Sequence, residues 1–280
     1  MPKLPKLNKD AGSFSEKEEL AEELAEREIN LGEDDSDEVF NMPCGYTDSD
    51  GVVHKTFTFR EINGKDEEAM GKGDLKKNSS KVVSLLLSRC VTSIGTITPK
   101  SAGVKKWEEI IKSLYVGDQD YMLLMLRKIS IGDEIELKHE CPYCKQRLTS
   151  IVNVDELEII PFSGNHKIDF ELPRGYKDKK GEVHKKGVMR LPTGLDREIL
   201  SPLAKNNMAR ANTVMLTRLC KFSDGLPITD DVMSDLSTND RRYLNSILEA
   251  NIFGVKLEIE VECDSCGETF KGNFNVINFM

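Results

Sequence analysis

The chain has 280 residues, 39% of them hydrophobic, which is enough for one large domain or two ordinary ones with real cores. Its net charge of −9 is concentrated, because residues 1–38 hold 13 acidic side chains against 5 basic ones and leave the body near neutral. A body without a basic stripe argues against nucleic acid or a membrane surface as the main partner, no apolar run reaches the roughly eighteen residues of a membrane span, and the first residues carry no apolar export segment.

The N-terminal stretch reads as an arm. Ser15 with Glu18 makes a capping-box pattern, and the acid-rich residues 16–30 favour a helix. Its apolar stripe is narrow, consisting of Leu20, Leu24 and either Ile29 or Leu31, and residues 32–37 read as a solvated linker. Two readings stand side by side: an arm that docks on a neighbouring subunit through Leu20, Leu24 and Ile29, and a solvated extension.

Self-comparison organises the rest. Residues 43–68 match residues 173–198 at a constant offset of 130 with 12 identities in 26 positions, where unrelated stretches give roughly one or two. The matched pairs include Gly45/Gly175, Asp48/Asp178, His54/His184, Arg60/Arg190, Gly64/Gly194 and Asp66/Asp196, and the same offset aligns Cys90 with Cys220 and Gly95 with Gly225. Further on the offset becomes 122, pairing Asp118 with Asp240, Tyr121 with Tyr243, and Cys141 and Cys144 with Cys263 and Cys266. The fold class this implies is α+β with an internal duplication: an arm and linker over 1–38, a first repeat over 39–160 and a second over 161–280.

In chain order, each copy opens on a β-hairpin whose turn is residues 48–51 or 178–181, flanked by alternating stretches. The first copy then predicts helices over residues 80–94 and 104–115 and a helix capped by Asp118 that runs to Gly132. The second predicts helices over residues 206–222 and 229–236 and one from near Thr238 to Gly254. Each copy closes with a strand, a CxxC turn and another strand, over residues 134–154 and 255–276. Gly45/Gly175 and Gly64/Gly194 suit left-handed backbone, and the repeated aspartates read as turn markers.

Seven cysteines fall into three sets. Cys90 and Cys220 lie in matched apolar helices and read as core residues, since a free cysteine packs as a small hydrophobe; Cys44 faces Arg174 in the alignment and reads as incidental. The remaining four, Cys141, Cys144, Cys263 and Cys266, form two CxxC turns at hairpin tips. Two thiolates three residues apart across a tight turn aim at one point, the half-site of a zinc knuckle, and a closed structural zinc site needs four ligands. The simplest completion is one structural zinc held by all four across an approximate twofold. Other completions are a local site including His139, pairing with a second chain, and a disulfide across each turn. His54 and His184 repeat as well, and read as locally packed, hydrogen-bonded histidines rather than a second metal site. A redox CxxC begins a helix in a thioredoxin-like setting, which neither turn does. No phosphate-binding, nucleophile-elbow, zincin or dinucleotide motif occurs, so the chain reads as no enzyme.

The stretch MRLPTGLDREI at residues 189–199, the helix VMLTRLC at 214–220, the Asp240-x-x-Tyr243 helix and the terminal CxxC hairpin resemble baseplate and baseplate-hub assembly proteins of contractile-tailed, T-even-like bacteriophages. Residues 85–94 and 118–121 look like a more divergent version of the same unit. The resemblance implies a tail structural or assembly protein that takes part in building the baseplate in the host cytoplasm, partners other baseplate proteins and takes no small-molecule substrate; its expected place is the virion tail baseplate. The competing reading from the residues is a zinc-ribbon adaptor for nucleic acid or transcription machinery, against which stand the acidic flanks Glu134, Glu136, Glu140, Glu258, Glu260 and Glu262.

Overall fold

Asp48 closes the first hairpin, because its Oδ1 accepts the N–H groups of Asp50 and Val52 at 2.9 Å each. In the computed structural model, which describes residues 38–72 and 78–273, this turn joins β1 (Phe40–Thr47) to β2 (Val53–Phe59). Along β2 the alternation buries Phe57 and Phe59. The arm residues Leu20, Leu24 and Ile29 lie outside the described residues.

A short helix α1 (Gly64–Met70) follows, then α2 (Ser79–Cys90), which passes directly into β3 (Val91–Ile94), the third strand of the sheet β1-β2-β3. The helix expected over residues 80–94 therefore stops four residues early. Its last four, Val-Thr-Ser-Ile, are rich in β-branched side chains and pair with β2, with Phe59 opposite Val91. Next come α3 (Pro99–Ala102), capped by Thr98, α4 (Val104–Ser113) and α5 (Val116–Ile131), and then the hairpin β4 (Glu134–Glu140) and β5 (Arg147–Asn153). Asp118 does not cap α5, whose N-cap is Tyr115; it is the third helical residue, and its carboxylate accepts the N–H groups of Cys44 at 2.9 Å and Gly45 at 3.3 Å.

The first half ends on β6 (Ile159–Ile160), and the second begins with β7 (Lys167–Lys177) and β8 (Val183–Arg190). Asp178 closes the β7–β8 turn as Asp48 does the first, accepting from Lys180 at 2.9 Å and Glu182 at 2.8 Å. Three elements follow β8 where one helix, over residues 206–222, was expected. The first, α6 (Gly194–Asn206), was not expected; Asn207 then breaks the chain and caps α7 (Met208–Leu219), and β9 (Cys220–Phe222) completes the sheet β7-β8-β9. Then α8 (Asp230–Asp235), α9 (Thr238–Ala250), β10 (Gly254–Val255), and the hairpin β11 (Glu258–Glu262) and β12 (Thr269–Asn273) follow, with β10 paired to β6 rather than continuing β11. Both halves thus present hairpin, two helices, a third strand, further helices and a terminal hairpin, in a mixed α+β architecture.

Strand register shifts one sequence match. Met189 lies opposite Cys220 as Phe59 lies opposite Val91, so Cys220 occupies the place of Val91 rather than that of Cys90. Likewise Gly95 N–H donates to Thr56 O, and Ser223, not Gly225, makes the equivalent bond to Lys186 O. Gly45 and Gly175 have the expected positive φ, 97° and 85°, whereas Gly64 and Gly194 are first residues of helices without it.

The repeated aspartates do more than mark turns. Asp66 has no exposure and binds Arg60 through both oxygens at 2.7 and 3.0 Å, Arg89 Nε at 2.7 Å and the Asn63 N–H at 3.1 Å. Asp196 repeats this with Arg190 at 2.6 and 2.9 Å, Arg218 Nε at 2.7 Å and the Thr193 N–H at 2.9 Å. Each joins the end of a hairpin strand, the start of one helix and the end of the next.

Two cores result, and each borrows from the other half: Cys44 of β1 packs with Phe170, Met189 and Leu216, and Val255 of β10 packs in the core that holds Trp107 and Leu124. Between them, Val116 N–H bonds Pro192 O, Gly194 N–H bonds Leu114 O, Asn78 Nδ2 bonds Glu198 O at 2.9 Å, and Arg197 pairs with Asp120. Gly117 and Gly254 meet backbone to backbone, so closely that a Cβ on Gly117 would lie 2.3 Å from Phe253 O. A side chain there would force the halves apart.

Asp66→Asn leaves Arg60 and Arg89 buried and uncompensated, and should cost about 3–5 kcal/mol in urea unfolding. Asp196→Asn should cost less, because the side chains of Arg190 and Arg218 keep 37% and 31% of their exposure and can hydrate; equal losses would contradict this account. Stability should also peak in mildly acid solution. Burial would raise Asp66 and Asp196, but the arginine bonds win and hold each down to about 2; their contribution is present above the unfolded value of about 3.9 and fades as pH falls towards 2. Burial pushes Asp118 up to about 6, only partly offset by the Cys44 and Gly45 N–H groups. The folded chain therefore gains stability as pH falls from above 6 to about 4, a rise that Asp118→Asn should abolish in pH-dependent urea melts.

Candidate metal centre

Both CxxC turns are built alike. In the first, Cys141 N–H donates to Gln146 O at 2.9 Å and Lys145 N–H to Cys141 O at 3.0 Å; in the second, Cys263 N–H donates to Glu268 O at 3.0 Å and Gly267 N–H to Cys263 O at 2.8 Å. The residue after each second cysteine is left-handed, Lys145 with φ 64° and Gly267 with φ 72°. Glycine accepts this freely, whereas lysine does so at a cost of order 1 kcal/mol, so the turn is dictated by its surroundings. Backbone N–H groups of Tyr143 and Cys144 point at the Cys141 sulfur, that of Gln146 at Cys144 and that of Glu268 at Cys266.

The two hairpins bring all four sulfurs together, within 4.8 Å of one another. Cys141 Sγ lies 3.7 Å from Cys266 Sγ, and Cys144 Sγ lies 3.6 Å from Cys263 Sγ. Each close pair joins a buried cysteine, Cys141 or Cys263, to an exposed one, Cys266 or Cys144. Exchanging the hairpins converts one pair into the other, as a local twofold requires. A tetrahedron of sulfurs 2.3 Å from a central ion has edges of about 3.8 Å, so this spacing can take one four-coordinate ion with little movement. All four are free thiols, and the close contacts run between the hairpins rather than across either turn.

His139 is not in the cluster. Its Nε2 lies 2.9 Å from Ser150 Oγ, its ring meets Phe270 edge-on at 6.1 Å, and burial holds its pKa below the usual value. Gly272 lies so close under it that a Cβ there would come within 2.7 Å of the imidazole. His139 is therefore packing between the two hairpins.

The thiols differ in chemistry. The N–H of Cys144 leads the interactions that draw Cys141 down to about 7, making it the most readily ionised of the set. Burial pushes Cys44, Cys90 and Cys220 up to about 12. Cys90 and Cys220 are core residues as read from sequence, while Cys44 matters through its backbone: its N–H bonds Asp118, just as the Arg174 N–H bonds Asp240 at 2.8 Å. His54 Nε2 bonds Asp48 Oδ2 at 2.9 Å and stacks on Tyr46; His184 Nδ1 bonds Asp224 Oδ2 at 2.6 Å.

A separate cleft of about 410 Å³ is lined by Val116, Leu191, Ile252, Phe253 and Leu257 among others. Its ionisable lining groups are already engaged, Asp120 with Arg197, Lys256 with Glu158 and Glu258 with Lys271, so it offers no free acid or base. No helix among the described residues is long and apolar enough to cross a membrane.

In the folded, metal-free chain at pH 8, thiol alkylation followed by peptide mapping should mark the exposed Cys144 well before the buried Cys44, Cys90 and Cys220, which react once the chain is unfolded. Labelling of Cys90 or Cys220 at the rate of Cys144 would contradict the buried assignment.

A family model described as T4 bacteriophage base plate protein matches residues 46–219, a stretch that includes the first CxxC turn and ends before the second. Neither the curated proteins nor the solved structures give a match.

Proposed function

The chain belongs to the family of T4 bacteriophage base plate proteins, and from that membership we propose that it is a rigid adaptor between tail components, clamped by one structural zinc ion. The zinc ligands in this reading are Cys141, Cys144, Cys263 and Cys266, and the body is two copies of one unit, residues 39–160 and 161–280. The observation that carries the clamp is the meeting of four sulfurs from hairpins far apart in sequence, at distances that fit a tetrahedral ion. Without metal the hairpins meet through contacts such as His139 against Phe270 and Gly272, and both rest on the first core through Leu137 and Ile259. With metal, a cross-link worth on the order of 10 kcal/mol in small zinc modules fixes the ends of the two halves.

Such a body binds by presenting surfaces in a fixed orientation, which suits a protein that must join parts of a ring. The arm, through Leu20, Leu24 and Ile29, docks on a neighbouring tail protein. Assembly takes place in the host cytoplasm and the product resides in the virion baseplate. The reaction inventory is empty in this reading: no catalytic step, small-molecule substrate or nucleic acid is involved.

Metal analysis of the purified full-length chain should give about one zinc per chain, and Cys141→Ser with Cys263→Ser should remove both the zinc and the cooperativity of unfolding. Iron in place of zinc, or no metal at all, would defeat the clamp. Phage lacking the protein should yield tails with incomplete baseplates by electron microscopy, repaired by supplying the chain in trans; complete baseplates in its absence would defeat the adaptor role. Tight, salt-sensitive binding in a gel shift would favour the zinc-ribbon nucleic-acid reading instead.

A further inference from the structure

The β7–β8 turn contains a second cluster of ligating side chains. Asp178 uses Oδ1 to close the turn, accepting from Lys180 and Glu182, which leaves Oδ2 directed at His184. His184 is 8% exposed, and its Nε2 is buried with no hydrogen-bond partner, since Asp178 Oδ2 stands 3.7 Å away. Glu182 completes a group of three whose ligand atoms lie within 4.8 Å of one another. A buried imidazole nitrogen without a partner is a cost the fold does not carry idly.

The first half shows what the same turn looks like when nothing is to be bound. There His54 Nε2 closes directly on Asp48 Oδ2 at 2.9 Å, Val52 stands where Glu182 does, and among the described residues Asp48 is the carboxylate paired with His54. In the second half a new carboxylate, Asp224, takes Nδ1 at 2.6 Å instead. A carboxylate on Nδ1–H fixes the tautomer whose Nε2 carries the lone pair, the arrangement that orients metal-bound histidines.

We propose that His184 Nε2, Asp178 and Glu182 form a second metal site, for a divalent first-row cation that accepts one imidazole and two carboxylates. Manganese and zinc ions meet that description. Three protein donors leave at least one coordination position for water. Lys177, Lys179 and Lys180 on the same hairpin weaken the attraction for a cation, which points to micromolar rather than tighter affinity. The competitor for Nε2 is a proton: Asp224 and then Asp178 both favour the charged imidazolium, which would sit between the two carboxylates with no metal.

The test is a titration of the zinc-loaded full-length chain with Mn²⁺ at pH 7.5, followed by loss of the free-ion electron paramagnetic resonance signal. Thiolates bind Mn²⁺ poorly, so the cysteine cluster is silent. One bound Mn²⁺ per chain is expected. Glu182→Gln, an exposed change that leaves the fold alone, should weaken it at least about tenfold, and Asp224→Asn by about 10–100-fold. His184→Gln should abolish it, while Asp48→Asn in the first half should have no effect. Absence of any bound Mn²⁺ or of Zn²⁺ beyond the cysteine equivalent, or binding indifferent to Glu182→Gln and His184→Gln, would overturn the site. So would a ¹⁵N spectrum showing His184 doubly protonated and unmoved by either metal.

Discussion

A carboxylate with no access to water has to be surrounded by donors, and four such groups hold this chain together. Asp66, Asp118, Asp196 and Asp240 are all fully buried, and each is the third residue of its helix. At that position the unpaired N–H groups and the helix dipole already favour negative charge. What remains of each carboxylate's capacity reaches outward: Asp66 and Asp196 take two arginines apiece, while Asp118 and Asp240 take backbone N–H groups from the irregular stretches of β1 and β7 where the register shifts. Sheet and helices in each half are thereby joined by bonds that fail together if the carboxylate is lost. Hydrophobic packing supplies the bulk of the burial, but these contacts set which helix end meets which strand.

The two halves interlock rather than lying side by side. Cys44 leaves its own sheet to fill the second core, and Val255 enters the first. Helix α5 reaches across through Gly117, which has to be glycine because Phe253 O occupies the space of a side chain. The sulfur cluster lies at the hairpins that end each half, away from this central packing in the sequence.

What could be read from the residues follows from how local the signal is. The hairpin turns and CxxC tips are set by Asp, Gly and Cys at fixed short spacing, and they appear where they were expected. Convergence of the four sulfurs was foreseen from symmetry, since equivalent turns on related units can meet across an approximate twofold. Helix ends were harder. The apolar run through Cys90 to Ile94 continues the face of α2, and only its β-branched content and its pairing with β2 turn it into a strand. The helix over residues 194–206 was missed, and the one expected over 206–222 ends at Leu219, where the chain turns into β9. The role of Asp66 and Asp196 was hidden because Arg89 and Arg218, their second partners, differ by one residue in the sequence alignment and come into register only in three dimensions.

The separation of the thiol pairs also orders events in time. Cys144 and Cys263 are 119 residues apart, and at a synthesis rate of about 5–20 residues per second the second pair reaches the cell roughly ten seconds after the first. For that interval Cys141 and Cys144 lack the two sulfurs that lie beside them in the folded chain. In the proposed clamp the ion can take its full set of ligands only after residues 263–266 have been made, so the cross-link marks a chain whose second hairpin is complete.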